Sequence, residues 1–259
     1  MEKEVLKIIF KFLEEKENCN PPFLWKWKNG IPLIEEDLEV GGDLDLRDSK
    51  ITSLPEGLKV GGDLDLTYVN IKSLPKGLKV GGNLTLLYST ISSLPEGLEV
   101  GGNLDIRGLR ITSLPEGLKV GGDLDLTYSS TFNLKITSLP KGLEVGGNLR
   151  LGNTNITSLP EDLKVGGTLD LRKTILTSLP KGLKVRGGLN LISSNITSLP
   201  EGLEVGGNLD LAFSSITLLP KDLKVGGSLN INFTPLKKYT NKELREMIKP
   251  GFIKGKIIR

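Results

Sequence analysis

The chain contains no histidine. That removes the commonest general base at neutral pH and the commonest metal ligand. A single cysteine, Cys19, excludes an internal disulfide framework and any cysteine-based zinc site. One unpaired thiol also fits a reducing compartment, so a cytoplasmic location is expected, with delivery into a host cell as the alternative. No run approaches the roughly 18 apolar residues that a membrane span needs. Charges from Glu2 to Glu17 interrupt every apolar stretch near the start, so no signal-peptide core is expected there. Aromatic residues are scarce at 5%, and a formal net charge of +3 over 259 residues names no partner by bulk charge. With 37% hydrophobic and 25% charged residues, the composition is that of a folded, water-exposed chain.

What the chain does have is a repeat. Valine stands at 40, 60, 80, 100, 120, 145, 165, 185, 205 and 225, each followed by a glycine pair that Arg186 interrupts once. The period is 20 residues, with one step of 25 between Val120 and Val145. The unit reads I-T-S-L-P-x-G-L-x-V-G-G-x-L-x-L, and its first copy, Ile31 to Val40, is degenerate, with Glu35 in place of proline. Leu58 alternates with Val60, and Leu64 with Leu66, which predicts two short strands per turn with one face inward. Ile71 and Leu74 complete six inward positions. One such turn cannot repay its own ordering entropy, so neighbours must stack and share parallel ladders. At about 4.8 Å per turn, ten turns give a rod or arc of roughly 48 Å.

The segment L-x-L-x-x-x-x-I-x-x-L-P, carried here by Leu64, Leu66, Ile71, Leu74 and Pro75, resembles the leucine-rich repeat. Its 20-residue length is similar to the short bacterial type of secreted effectors. The form L-P-x-G-L-x-V-G-G-x-L-x-L resembles uncharacterised repeat proteins of bacteria and phages. The resemblance implies a solenoid whose parallel sheet presents a ligand-binding face. The family's asparagine ladder is replaced by Ser49, Val69, Ser89, Leu109, Thr154, Thr174, Ser194, Ser214 and Thr234. That departure keeps a three-faced β-solenoid open as the alternative.

The chain divides into a helical N-terminal cap (1–30), a ten-turn leucine-rich-repeat-like solenoid (31–236) and a basic C-terminal cap (237–259). Glu2 to Glu17 reads as an amphipathic helix, with Trp25 and Trp27 sealing the first turn. Thr240 to Glu243 has capping-box spacing and predicts a short helix to Lys249, with a terminal strand beyond Phe252. The last 23 residues carry eight Lys or Arg against two acidic residues. Thr127 to Lys135 is an insertion on the flank of one turn, a place where loops often carry function.

Between the leucines of each Leu-x-Leu strand stand Asp45, Asp65, Asp105 and Asp125, and before them Asp43 and Asp63. Stacked carboxylates at about 4.8 Å repel by roughly 0.9 kcal/mol per pair even in water, so the cluster calls for basic neighbours or a basic partner. Arg47 and Arg107 offer some neutralisation. Tyr68, Tyr88 and Tyr128 follow along one edge, with Phe213 and Phe233 further on, and exposed aromatics make good interface anchors. The residues after the prolines alternate in charge, Glu56, Lys76, Glu96 and onward, and are expected to stack as ion pairs.

These columns point to a non-catalytic protein-binding scaffold. The expected contacts are Asp43, Asp45, Asp63, Asp65, Asp105, Asp125, Tyr68, Tyr88 and Tyr128. The partner is expected to be a protein with a basic patch, such as a host target of a phage or bacterial inhibitor. No nucleic acid is expected on this acidic face, and no cofactor or metal. G-G-D-L-D is similar to calcium-binding nonapeptides, but its period and third glycine are wrong. The alternatives are a structural or surface solenoid, self-associating or ice-binding, and an acidic mimic of nucleic acid.

Overall fold

The computed structural model describes residues 23–28, 30–127 and 136–259. The helix expected over Glu2–Glu17 and the insertion from residue 128 to 135 lie outside the described residues.

Each repeat copy supplies two strands of two residues. One precedes the glycine pair, as Lys59–Val60. The other follows it, as Leu64–Asp65. Strands one copy apart pair in parallel, Val60 opposite Val80 and Leu64 opposite Leu84. The 25-residue copy keeps register, with Val120 opposite Val145 and Leu124 opposite Leu149. Phe252–Ile253 and Ile257–Ile258 add a last strand to each ladder, giving two 11-stranded sheets. The molecule is therefore a parallel β-solenoid with a valine sheet and a leucine sheet. Its third side, I-T-S-L-P, stays extended and shows only isolated bridges at Ser73–Ser93 and Ser138–Ser158 among the described residues. Proline explains the gap, since it has no N–H to donate to a ladder.

Both ladders have ordinary parallel pairing, in which successive N–H groups turn to alternate neighbours. In the leucine sheet Leu44 N donates forward to Asp63 O at 2.7 Å, and in the valine sheet Gly61 N donates back to Val40 O at 2.7 Å.

Leu58, Val60, Leu64, Leu66, Ile71 and Leu74 are all buried, and the same six positions form one continuous core along the rod. Each contributes about 2 kcal/mol of apolar burial. The glycines serve two different needs. Gly57 has φ 75° and its glycine equivalents lie between 68° and 75°, a left-handed turn which Asp222 also adopts at φ 69°. Gly61 is needed for close approach instead: a Cβ there would stand 2.6 Å from Gly41 O in the preceding turn. The first glycine of each pair thus stacks directly on the one before, and its role as a mere bend is too weak a description.

The column that replaces the leucine-rich repeat's asparagines faces inward. Val69 and Leu109 are 1% exposed. Thr154, Thr174 and Thr234 donate their hydroxyls to carbonyls of their own turn, Leu151 O, Leu171 O and Ile231 O, rather than between turns. Ser89, Ser194 and Ser214 bury Oγ with no partner among the described residues. A buried unsatisfied hydroxyl costs about 1–3 kcal/mol. Ser194→Val, which copies Val69, should therefore raise stability by about 1 kcal/mol; chemical denaturation checks this, and a lowered midpoint would contradict it.

At the N-terminal end a helix, α1 (Phe23–Lys28), packs Phe23 and Trp27 on the core, their rings stacked 5.7 Å apart. Lys26 turns inward and pairs with Asp37 at 3.0 and 3.1 Å, with side chains 4% and 2% exposed. Asp37 sits in a 3-10 turn, Glu35–Leu38, where the next copy carries Pro55 to Leu58 and so has Gly57 at the Asp37 position, and also accepts Ile34 N at 3.0 Å. At the other end Thr240 and Glu243 form the capping box of α2 (Asn241–Met247). Arg245 on α2 donates to Ile253 O and, at 2.8 Å, to Gly255 O. Ile253 and Gly255 occupy the places of Val225 and Gly227 one turn on, so the guanidinium meets carbonyls that a further turn would have used. Among the described residues no helix is long and apolar enough to cross a membrane.

Candidate functional site

The outward face of the leucine sheet holds the aspartates, and each has a task inside the scaffold. In the first column, Asp43 Oδ1 accepts Asp63 N at 2.8 Å, Asp63 Oδ1 accepts Asn83 N at 2.6 Å, and Asn83, Asn103, Asp123 and Asn148 continue the series. This is an inter-turn ladder of the kind the missing asparagines supply in a leucine-rich repeat, built at another position. It breaks at Gly188, which has no side chain, and resumes at Asn208. The Asn83 backbone N–H, helped by its side-chain amide, lowers the Asp63 carboxyl below its ordinary range. Burial pushes Asp123 up, yet the Asn148 amides and Arg150 outweigh it and leave it lowered.

In the second column each carboxylate folds back on its own turn. Asp45, Asp65, Asp105 and Asp125 accept the N–H two residues on, at 3.1, 2.9, 3.1 and 2.9 Å. Such Asx-type bonds end the strand and set the left-handed residue that follows. Arg47 forks onto Asp45 at 3.0 and 2.6 Å and reaches Asp65 Oδ2 at 3.6 Å, and Arg107 forks onto Asp105. The four-aspartate cluster of the first turns is thus braced by one arginine, with Asp43, Asp45 and Asp63 exposed and Asp65 half-buried.

The Arg47 side-chain hydrogen bonds, followed by its backbone N–H, bring the Asp45 carboxyl down to about 2. A carboxyl depressed in the folded state stabilises the fold above its unfolded value of about 3.9, and that contribution is lost as pH falls through about 2. NMR titration should place the Asp45 midpoint near 2. Arg47→Ala should return it toward the ordinary carboxylate range, and an unchanged midpoint would show that the backbone bond alone suffices.

Tyr68 and Tyr88 follow at φ 57° and 54°, where Asp48, Gly108, Asn153 and Ser193 stand in other turns. Left-handed geometry suits Gly, Asn and Asp, and a bulky residue there costs about 1–3 kcal/mol. The rings stack at 5.2 Å and 17°, with the residues 59% and 41% exposed. A recess of about 400 Å³ opens beside Tyr88, lined also by Ile91, Gly108 and Arg110. Phe213 and Phe233 repeat the stack at 4.4 Å, with Lys237 4.9 Å above the Phe233 ring. Tyr128 lies outside the described residues, so the structure brings two of the three expected tyrosines together.

The ion pairs fall mainly on a column that the sequence reading passed over. It is the residue before each valine: Lys59 meets Glu39 at 2.6 Å, Lys79 meets Glu99 at 3.0 Å and Lys164 meets Glu144 at 2.5 Å. The signal was the near-alternation of Glu and Lys in L-x-V. The residues after the prolines give one pair among those described, Lys181–Glu201 at 3.5 Å. All of these pairs are exposed and add little stability. Among the described residues no group of three acidic, His or Cys side chains converges to hold a metal ion.

Compared with protein-family models and with curated proteins, the chain matches none.

Proposed function

We propose that this solenoid is a non-catalytic scaffold that binds a folded protein partner along the aromatic edge of its leucine sheet, with the acidic first turns as a charged rim. The observation that carries this reading is the exposed Tyr68–Tyr88 stack, held at positive φ beside a recess of about 400 Å³. Two bulky rings are kept where small or polar residues fit with less strain, and aromatic anchors dominate binding energy in interfaces. The carboxylates give the rim its sign. One oxygen of Asp43 and of Asp63 is occupied by a backbone N–H, and Asp63 Oδ2 also takes the Asn83 side-chain amide at 3.1 Å, so the second oxygen of Asp43 is the one turned to a cationic partner surface. They are scaffold and charge together, with no proton-transfer partner nearby.

The test is quantitative capture of a binding protein by the wild type and two variants. Tyr68→Ala with Tyr88→Ala should weaken binding by about 30-fold or more, the scale of a hot-spot loss of about 2 kcal/mol, while circular dichroism stays unchanged. Reversing Asp43, Asp45, Asp63 and Asp65 should slow association and flatten its salt dependence. If neither variant changes affinity, the leucine-sheet face is not the site.

A further inference from the structure

The outward side of the valine sheet holds a second feature. Its first-glycine column runs Gly41, Gly61, Gly81, Gly101, Gly121, Gly146, Gly166, Arg186, Gly206, Gly226 and then Lys254, whose N–H takes the Val225 carbonyl as Gly226 takes Val205. Only two of these positions carry side chains, and both are cations. They bracket two bare glycines. Between them lies a cleft of about 440 Å³ with Gly206 and Gly226 in its floor and Lys184, Glu204, Lys224 and Phe252 along its wall.

Arg186 strains the stack. At every other solenoid turn from Gly61 to Gly226 the bond from this N–H to the preceding valine carbonyl is 2.7–2.8 Å, but from Arg186 to Val165 O it is 3.4 Å. Register between those two strands shrinks to the single pair Val165–Val185. The scaffold alone favours glycine here, so a side chain kept against that preference marks a place to look for function. The cleft carries four cations against Glu204, and Glu204 is already shared by Lys224 at 2.9 Å and Lys184 at 3.5 Å. No carboxylate pairs with Arg186 or Lys254 among the described residues.

We infer that this cleft binds an extended acidic peptide segment of a protein, with one carboxylate on Arg186 and a second on Lys254. Three turns separate the two cations, about 14 Å at the spacing between strands. An extended chain brings residues i and i+4 to the same face about 13–14 Å apart, so Glu-x-x-x-Glu spans the pair. Arg186 offers a planar fork to the first carboxylate and Lys254 a point charge to the second. Phe252, 42% exposed and with the Lys254 ammonium 5.6 Å from its ring centroid, gives an apolar side chain of the segment a surface beside that cation, which favours a peptide over a bare polyphosphate.

The experiment is fluorescence anisotropy with a labelled peptide holding one Glu-x-x-x-Glu and a leucine between, read alongside thermal melting. The wild type should bind it. Arg186→Gly should weaken binding at least tenfold while the melting midpoint holds or rises, because the stretched ladder bond can close. Lys254→Ala should weaken binding to a similar degree. Gly188→Asn, which restores the side-chain ladder in the same turn, should leave binding unchanged. The inference is overturned if the wild type does not bind at millimolar peptide, if Arg186→Gly binds as the wild type does, or if inorganic polyphosphate binds more tightly than the peptide.

Discussion

Asp37→Ala should cost the N-terminal end about 3–5 kcal/mol, because it breaks an ion pair with Lys26 that is almost wholly buried. Both partners sit almost wholly out of water, and Asp37 additionally ties down Ile34 N. The pair joins α1 to the 3-10 turn that opens the solenoid, so its loss detaches the helix from the core it covers. Contacts in a solenoid run only between neighbours, so the damage starts at the first turns rather than everywhere at once. The two tryptophans of the chain, Trp25 and Trp27, both lie in α1. Urea titration followed by tryptophan fluorescence should therefore show an early transition that far-UV circular dichroism, which averages the whole rod, shows later. Replacing both partners, Lys26→Met with Asp37→Leu, should recover most of the loss, since breaking a buried pair costs more than replacing it with apolar residues. Coincident, wild-type-like transitions in Asp37→Ala would show that the pair contributes nothing to the cap.

Gly121→Ala should cost about 1–3 kcal/mol through overpacking. A Cβ there meets the Gly101 carbonyl at less than any normal contact distance, and its nearest atoms are all Gly101 backbone, with nothing flexible to move. The two turns must separate, as they do at Arg186, and the hydrogen bond from Gly121 N to Val100 O, now 2.8 Å, must lengthen. Gly41→Ala is the control. It stands in the same column, but nothing lies within 4 Å of its Cβ. It should be neutral within about 0.5 kcal/mol. Gly97→Ala separates the other mechanism: its Cβ is also free of contacts but its φ is +68°, and it should cost about 1–2 kcal/mol through conformation alone. Equal losses at Gly121 and Gly41 in denaturation midpoints would refute the close-approach account.

Much of this architecture can be read from the sequence, for a physical reason. Leu58, Val60, Leu64 and Leu66 alternate within a few residues, and each reappears a fixed distance along the chain. Burial at period two is a local signal that repetition makes unambiguous. The capping box at Thr240 is local as well. What escaped reading depends on groups that are distant in sequence or on bond direction. Gly61 reads as a bend residue until Gly41 O is placed beneath it. Lys26 looks like a surface lysine because its partner lies 11 residues away across a turn. The aspartates were read correctly as an outward column, but their Asx-type and ladder bonds depend on where the N–H groups point. Arg186 stood out only as an interruption of the glycine pair, and the place of Lys254 in its column appears only once the last 23 residues are wound onto the rod.

The alternating bond directions of a parallel ladder have an electrostatic consequence. An α-helix aligns its peptide dipoles and gathers a partial charge at each end. Here successive N–H groups of each strand point to opposite neighbours, so the peptide dipoles along the axis largely cancel, and lengthening the rod by a turn adds almost nothing to the field at its tips. Polarity along the axis is left to side chains. Glu35, Glu36, Asp43 and Asp48 crowd the first turns, while Lys237, Lys238, Lys254, Lys256 and Arg259 crowd the last. The molecule is thus a bar with an acidic head and a basic tail. It should orient end-on before a charged surface in dilute salt and lose that preference once the Debye length falls well below the length of the rod.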